Sequence, residues 1–347
     1  MAIKVLIVDD SAFIRVIFRD ILSKDKDIEI VGIAKDGYEA VEKVVELKPD
    51  VVTLDIEMPN LNGLEALKLI MKKHPVPVVM VSTLTQKGAK ETMEALSLGA
   101  VDFVPKPAEG TNKNIRNIDE ELINKVKAAA KSNLKRVKME APKYSVVTSK
   151  PKLLKKTFNK LVLIASSTGG PRALEYVIPK LDGSKPMAVL LVQHMPPKFT
   201  ASLAERLDKI SSLKVVEAKE GEPIIAGHCY VAPGDYHMEI KDYDGMPIIT
   251  LNQKDKLWGV RPSADILFES VSKFYNKPVI TAVLTGMGKD GSKFILDLKK
   301  KNRNNIVITQ SKETCVVYGM PKSVDKTGAT DFSLPLEEIA DKINSLI

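Results

Sequence analysis

Short apolar runs alternating with amphipathic stretches govern what this chain can become. The runs Ile3–Val8, Ile28–Ala34, Val51–Leu54, Val76–Val81 and Val101–Val104 alternate with helical patterns at Ser11–Ser23, Tyr38–Leu47, Gly63–Lys73, Lys87–Leu98 and Leu122–Leu134. Apolar runs of this length between stretches of 3.6-residue periodicity read as strands between helices. Five such units in succession predict a doubly wound parallel sheet with right-handed crossovers. Aromatic residues make up only 5% of a chain that is 44% hydrophobic. The cores must therefore be Val, Ile, Leu and Ala, which suits parallel strands buried on both faces.

Periodicity is lost from Lys135 to Lys156, where Pro142, Pro151 and scattered Lys and Ser mark a linker. The expected organisation is a first domain over 1–125, a basic linker over 126–157 and a second domain over 158–347. In the second domain Leu161–Ala165, Met187–Val192, Val279–Leu284 and Ile306–Thr309 read as strands. Pro171–Leu181, Lys198–Ile210, Ser263–Tyr275 and Asp290–Lys301 read as helices. Between them Cys229–Ala232, His237–Lys241 and Ile248–Leu251 are short strands punctuated by Pro233-Gly234 and Asp244-Gly245, hence hairpins. The second domain is again α/β, Rossmann-like, with an antiparallel hairpin insertion. No solenoid-type repeat is present.

Charge and composition exclude several classes. Between Lys127 and Lys160 eleven Lys and Arg face one acid, Glu140, which more than accounts for the net charge of +8. The basic excess belongs to the linker, so no nucleic-acid partner is expected, and the second domain is too long and too α/β for a helix-turn-helix module. No apolar run approaches the roughly 18 residues needed to span a bilayer. The N-terminal run stops at Asp9 and Asp10, too early for a signal peptide. Cys229 and Cys315 lack Cys-x-x-Cys spacing, against a disulfide scaffold or a zinc site. A cytoplasmic, reduced protein without membrane insertion is expected.

Two constellations carry chemistry. Ligands of parallel α/β sheets sit beyond the carboxyl ends of the strands. Asp9 and Asp10 end the first strand, Asp55 the third and Ser82 the fourth, and Lys106 follows the fifth. Three carboxylates about 4 Å apart repel by roughly 4 kcal/mol per pair at an effective dielectric near 20. That calls for a hard cation held by oxygen, for which Mg²⁺ fits.

In the second domain Ser167, His194 and Asp290 also follow strand-like runs, a set suited to nucleophile, base and orienting anion. Gly169 and Gly170 permit a tight strand-to-helix turn, and a helix starting near Pro171 would aim free N–H groups at the serine. Backbone N–H groups of Thr168 and Met287 are oxyanion-hole candidates. Other readings stay open. A Gly-rich turn before a helix can bind phosphate, although G-x-G-x-x-G and a P-loop lysine are missing. His228 and His237 are rival bases in the hairpin section. The G-x-S-x-G elbow of α/β-hydrolases is absent.

Val8-Asp9-Asp10-Ser11, Leu54-Asp55-Ile56-Glu57-Met58-Pro59, Ser82 and Val104-Pro105-Lys106-Pro107 resemble the receiver domain of response regulators. The resemblance implies a flavodoxin-like receiver. Asp55 would take a phosphoryl group from a chemotaxis histidine kinase. Mg²⁺ would be held by Asp10, Asp55 and the backbone carbonyl of Glu57, with Asp9 positioning its waters, and Ser82 and Lys106 would sense the acyl phosphate.

Ile164-Ala165-Ser166-Ser167-Thr168-Gly169-Gly170-Pro171, Gln193-His194-Met195-Pro196 and Leu284-Thr285-Gly286-Met287-Gly288-Lys289-Asp290-Gly291 resemble the catalytic segments of chemotaxis methylesterases, the CheB family. So do Gly227-His228-Cys229-Tyr230-Val231-Ala232-Pro233-Gly234 and Arg261-Pro262-Ser263-Ala264-Asp265. Ala165 stands where the family often has Gly. The resemblance implies a phosphorylation-activated serine hydrolase that cleaves glutamate methyl esters on the cytoplasmic helices of chemoreceptors, releasing methanol. It further implies deamidation of glutamines and hydrolysis without a cofactor. The alternative is a non-enzymatic, receiver-controlled scaffold or transcription factor.

Overall fold

The computed structural model describes residues 2–107, 115–132, 147, 150 and 157–347. Most of the expected linker, Pro142 and Pro151 included, lies outside the described residues. The chain divides into two compact units, 1–139 and 140–347.

The first unit alternates strand and helix throughout: β1 (Ile3–Val8), α1 (Ala12–Leu22), β2 (Ile28–Ala34), α2 (Gly37–Leu47), β3 (Val51–Asp55), α3 (Gly63–Lys73), β4 (Val78–Ser82), α4 (Gln86–Ser97), β5 (Asp102–Pro105) and α5 (Ile115–Ala130). Its strands are parallel in the order β2-β1-β3-β4-β5, the doubly wound sheet that the alternation predicts. The helices begin where side-chain oxygens can take an unpaired amide: Asp36 accepts from Glu39 N and Asn62 from Glu65 N. Ile14, Phe18, Ile21 and Leu22 form the buried face of α1, three to four residues apart as a helical stripe requires. β4 begins at Val78, two residues later than the apolar run, because Pro77 has no N–H for the ladder. α5 carries on past residue 125 into the stretch read as linker. Val126 and Ala129 are buried one and two turns beyond the buried Leu122, so its apolar face does not end at 125.

The second unit contains β6 (Lys160–Ser166), α6 (Gly170–Val177) with a 3₁₀ turn, β7 (Met187–Gln193), α7 (Phe199–Ile210), β8 (Lys214–Glu217), β9 (His228–Val231), β10 (His237–Tyr243), β11 (Met246–Asn252), α8 (Ala264–Phe274), β12 (Val279–Val283), α9 (Ile295–Lys301), β13 (Ile306–Gln310), α10 (Met320–Asp325), β14 (Phe332–Leu334) and α11 (Leu336–Ser345). Its parallel sheet runs β14-β13-β12-β6-β7-β9-β8. β10 and β11 form a separate antiparallel pair closed by Asp244 (φ 49°) and Gly245 (φ 79°), the two positive φ values of a type I′ hairpin turn.

Two sequence expectations need correction. Residues around Cys229 do not form a hairpin arm: β9 lies parallel between β7 and β8, and Cys229, Tyr230 and Val231 are buried. Pro233-Gly234 leads out of the sheet, with Gly234 N donating to Thr200 Oγ1 at 3.0 Å. The helix expected over Asp290–Lys301 starts only at Ile295, because Gly288 and Gly291 both take φ 89° and the carboxylate of Asp265 caps the amides of Lys293 and Phe294 from another element.

Candidate active site and phosphorylation site

In the first unit β1 lies between β2 and β3, so the strand order reverses there and leaves a crevice beyond their carboxyl ends. Asp9, Asp10 and Asp55 meet in that crevice, each offering a carboxylate oxygen within 4.8 Å of the others. Lys106 Nζ lies 2.6 Å from Asp55 Oδ2 and 3.3 Å from Asp9 Oδ2. One cation does not balance three anions. Burial first and the charge of Asp9 second push the Asp55 carboxyl up to about 7, against the pull of Lys106. Asp9 is likewise raised, by burial, and its Oδ2 is buried without a hydrogen bond. A buried carboxylate oxygen held only by its ion pair with Lys106, beside two further carboxylates, fits a divalent cation with oxygen ligands. Ser82 is buried and its hydroxyl donates to Gly88 O at 3.1 Å, tying it to the first turn of α4. The side chain of Glu57 pairs with Lys87 at 3.1 Å, which leaves its backbone carbonyl as the group of interest.

In the second unit the residues singled out follow three adjacent central strands, β12, β6 and β7. The chain runs from β6 to β7 on one side and later returns to β12 on the other, so this too is a switch point. The ladder continues one step past the strands on each side. His194 N donates to Ser166 O at 3.2 Å, and Ser167 N donates to Thr285 O at 3.1 Å. These bonds bring the loops bearing Ser167, His194 and Asp290 together.

Ser166 and Ser167 separate by environment. Ser166 is fully buried and donates its hydroxyl to Gln193 Oε1 at 2.7 Å. Ser167 is partly exposed between buried neighbours, and its hydroxyl has no hydrogen-bond partner among the described residues. The turn after it depends on Gly169, whose φ is 75° and where a Cβ would come within 2.6 Å of Val316. At Gly170 a Cβ would meet Gln193 Oε1 at 2.0 Å. α6 starts at once behind that turn, with Pro171 in its first turn.

His194 Nε2 lies 2.8 Å from Asp290 Oδ2. Asp290 is buried and set against the start of α8, where Ser263 Oγ (2.7 Å), Ala264 N (2.6 Å) and Asp265 N (3.0 Å) all donate to it. Burial would raise its carboxyl, but the bonds from His194, Ser263 and the Asp265 amide outweigh it and hold the group below the ordinary carboxylate range. Asp290 therefore stays an anion. His228 bonds instead to Ala226 O and stacks on Tyr230, and His237 is buried against Asp255 O. Of the oxyanion candidates, the Met287 amide has no hydrogen-bond acceptor among the described residues.

Three supporting side chains escaped the sequence reading of roles. Gln193 donates to Ser167 O (3.0 Å) and His194 O (3.2 Å), clamping both turns. Thr285 Oγ1 donates to Thr168 O at 3.0 Å. Ser263 caps α8 and bonds to Asp290. Each lies inside a segment that resembles the family's catalytic ones, but its own role showed only as a polar residue at a strand or helix end, which a solvated residue also gives.

The family model described as CheB methylesterase matches residues 162–343, and that described as response regulator receiver domain matches 5–116. A protein-glutamate methylesterase/protein-glutamine glutaminase of Pyrococcus abyssi is 46% identical over 342 residues, covering 98% of this chain and 92% of that protein. One of the same name from Thermotoga maritima is 48% identical over 346 residues, covering 99% and 98%. The crystal structure of the Thermotoga maritima CheB methylesterase catalytic domain aligns with a TM-score of 0.53 at 45% identity, covering 55% of this chain and 99% of that one.

Proposed function

This chain belongs to the CheB methylesterase family, and we propose that its ester hydrolysis runs through Ser167, His194 and Asp290. It is a protein-glutamate methylesterase and protein-glutamine glutaminase of chemotaxis, regulated by phosphorylation of a receiver domain. The observation that carries the site reading is the 2.8 Å bond between His194 and a buried, four-fold hydrogen-bonded Asp290, on strands flanking that of the partly exposed Ser167.

Ser167 Oγ attacks the ester carbonyl while the imidazole of His194 takes its proton. Nε2 is engaged by Asp290, which leaves Nδ1 as the ring nitrogen for that transfer. Asp290 holds the ring orientation and balances the imidazolium. Amide donors at Thr168 and Met287 stabilise the oxyanion. The imidazolium then returns the proton to the leaving methoxide, releasing methanol. Water, deprotonated by the same base, cleaves the acyl-serine to glutamate. A glutamine amide follows the same route with ammonia leaving. No cofactor enters these steps.

In the first unit Asp55 is the proposed phosphoacceptor. Asp10, Asp55 and the Glu57 carbonyl would hold Mg²⁺, with Asp9 on its waters. The ion would neutralise phosphoryl and carboxylate charge. Lys106 already spans Asp9 and Asp55, and Ser82 would leave Gly88 O to meet a phosphoryl oxygen. The proposed partners are a chemotaxis histidine kinase and the cytoplasmic helices of chemoreceptors. Residues 1–125, with the rest of α5, are read as receiver, 158–347 as catalytic domain and the basic stretch between as linker, the whole acting in the cytoplasm. No helix among the described residues is long and apolar enough to cross a membrane. Release of labelled methanol from methylated receptor, lost in Ser167→Ala and His194→Ala, tests the reading.

A further inference from the structure

Beside the proposed reacting set lies a second buried carboxylate to which those steps give no task. Asp265 is fully buried in the first turn of α8. Its Oδ1 accepts from Lys293 N at 2.9 Å and Phe294 N at 3.0 Å, and its Oδ2 accepts from the indole N–H of Trp258 at 2.8 Å. Its own amide donates to Asp290 Oδ1 at 3.0 Å.

We propose that Asp265 is a positioning residue for the ester hydrolysis, a buried anion that fixes both flanks of Asp290 and so holds the His194–Asp290 pair in register. The proposal rests on the reading of Ser167, His194 and Asp290 given above. On the C-terminal flank Asp265 binds the amides of Lys293 and Phe294 directly, ending the loop that begins at Asp290. On the N-terminal flank it acts through Trp258, over whose ring the Lys289 ammonium lies 3.9 Å from the centroid. Asp290 sits between these two anchor points.

The arrangement carries an electrostatic cost. Two residues with buried carboxylates are joined through the Asp265 backbone amide, and burial together with the charge of Asp290 pushes the Asp265 carboxyl up to about 6. A neutral Ser or Asn could cap α9 without that repulsion. Trp258 is held with φ 56° while 40% exposed, a backbone region that a bulky residue occupies only when its surroundings impose it. What the anion adds over a neutral cap is tight acceptance of three donors at once.

The test uses the full chain and a peptide bearing a glutamate γ-methyl ester. Trp258 is the single tryptophan of the chain, so its emission reports the Asp265 contact directly. In Asp265→Asn, kcat is expected to fall about 10- to 100-fold, the scale of a misplaced catalytic group, with KM within about twofold. The Trp258 emission should shift, because the indole N–H loses its carboxylate partner. A kcat within twofold of wild type, with only the melting temperature lowered, overturns the proposal and leaves Asp265 a structural cap. If Asp265→Asn does not fold, Trp258→Phe removes the indole N–H while keeping a ring. Lowered kcat at unchanged KM then supports the proposal, and unchanged kcat overturns it. Ser167→Ala in the same assay keeps the two readings apart, since activity surviving there overturns the site assignment beneath.

Discussion

Asp290 Oδ2 accepts a 2.8 Å hydrogen bond from His194 Nε2 across 96 residues of sequence, and every other acceptor direction of that carboxylate that the structure records is filled from the first turn of α8. The carboxylate is therefore held before any substrate arrives. Asp290→Asn keeps the shape but places an amide where the imidazole needs an anion. Its kcat in methanol release is expected to fall on the order of 10⁴-fold, with KM little changed.

The two adjacent serines should behave oppositely. Ser167→Ala is expected to lower turnover on the order of 10⁴-fold or more while leaving the melting temperature near wild type. Ser166→Ala removes a buried hydroxyl whose partner, Gln193 Oε1, is then unsatisfied, at about 1–3 kcal/mol of stability. It should retain the chemistry. Thermal melts and methanol release on both variants check this, and the reverse pattern would assign the nucleophile to Ser166.

Control should separate from chemistry at Asp55. A small-molecule phosphodonor with Mg²⁺ is expected to raise the esterase activity of the wild-type chain. Asp55→Asn should show no such rise and no incorporated phosphate, yet keep basal hydrolysis. Loss of basal activity in a folded Asp55→Asn protein would place the acidic site within the catalytic chemistry.

The same aspartate predicts a pH dependence of stability. Asp55 is raised from 3.8 to about 7 in the folded state, so the folded receiver keeps a proton that the unfolded chain releases from about pH 4 upward. The stability this contributes is complete below about pH 4 and is lost as pH rises to about 7. Asp9 is shifted in the same direction. At pH 8 the receiver transition of Asp55→Asn should therefore melt above that of wild type, and Mg²⁺ should narrow the gap by stabilising the wild type. A variant melting below wild type at pH 8, without metal, would refute the sign.

Backbone geometry at the turn after Ser167 gives a fifth expectation. Gly169→Ala introduces a Cβ at φ 75°, within 2.6 Å of Val316. It should cost about 1–3 kcal/mol in stability. It should also lower kcat more than KM, because the turn that carries Ser167 must shift.

Much of the fold was legible because its signals are local. The apolar runs at Ile3–Val8 and Ile28–Ala34 coincide with β1 and β2, since Asp9-Asp10 and Lys35-Asp36-Gly37 follow them at once and mark where each run stops. Cys229–Ala232 was legible as a strand but not as a parallel one. A turn dipeptide marks where a strand stops, and its partner is chosen by contacts with β7 and β8 that lie far away in sequence. β14 and α10 were missed because three strand residues and one and a half helical turns carry too little periodicity to register.

At the sites the division is sharper. Residue type and strand-end position brought forward Asp9, Asp10, Asp55, Ser82 and Lys106, and made Ser167, His194 and Asp290 candidates among rivals that only the resemblance to a family set aside, because in a parallel sheet chain direction already sends every strand end to one edge. Tertiary structure decided what position cannot. It separated the buried Ser166 from the accessible Ser167 and paired His194, rather than His228 or His237, with a carboxylate. It delayed the start of α9 and brought Asp265, Trp258 and Ser263 to Asp290 from a different part of the chain. The physical reason is that side-chain hydrogen bonds and burial depend on which elements pack together in space, and no spacing along a single chain encodes that directly.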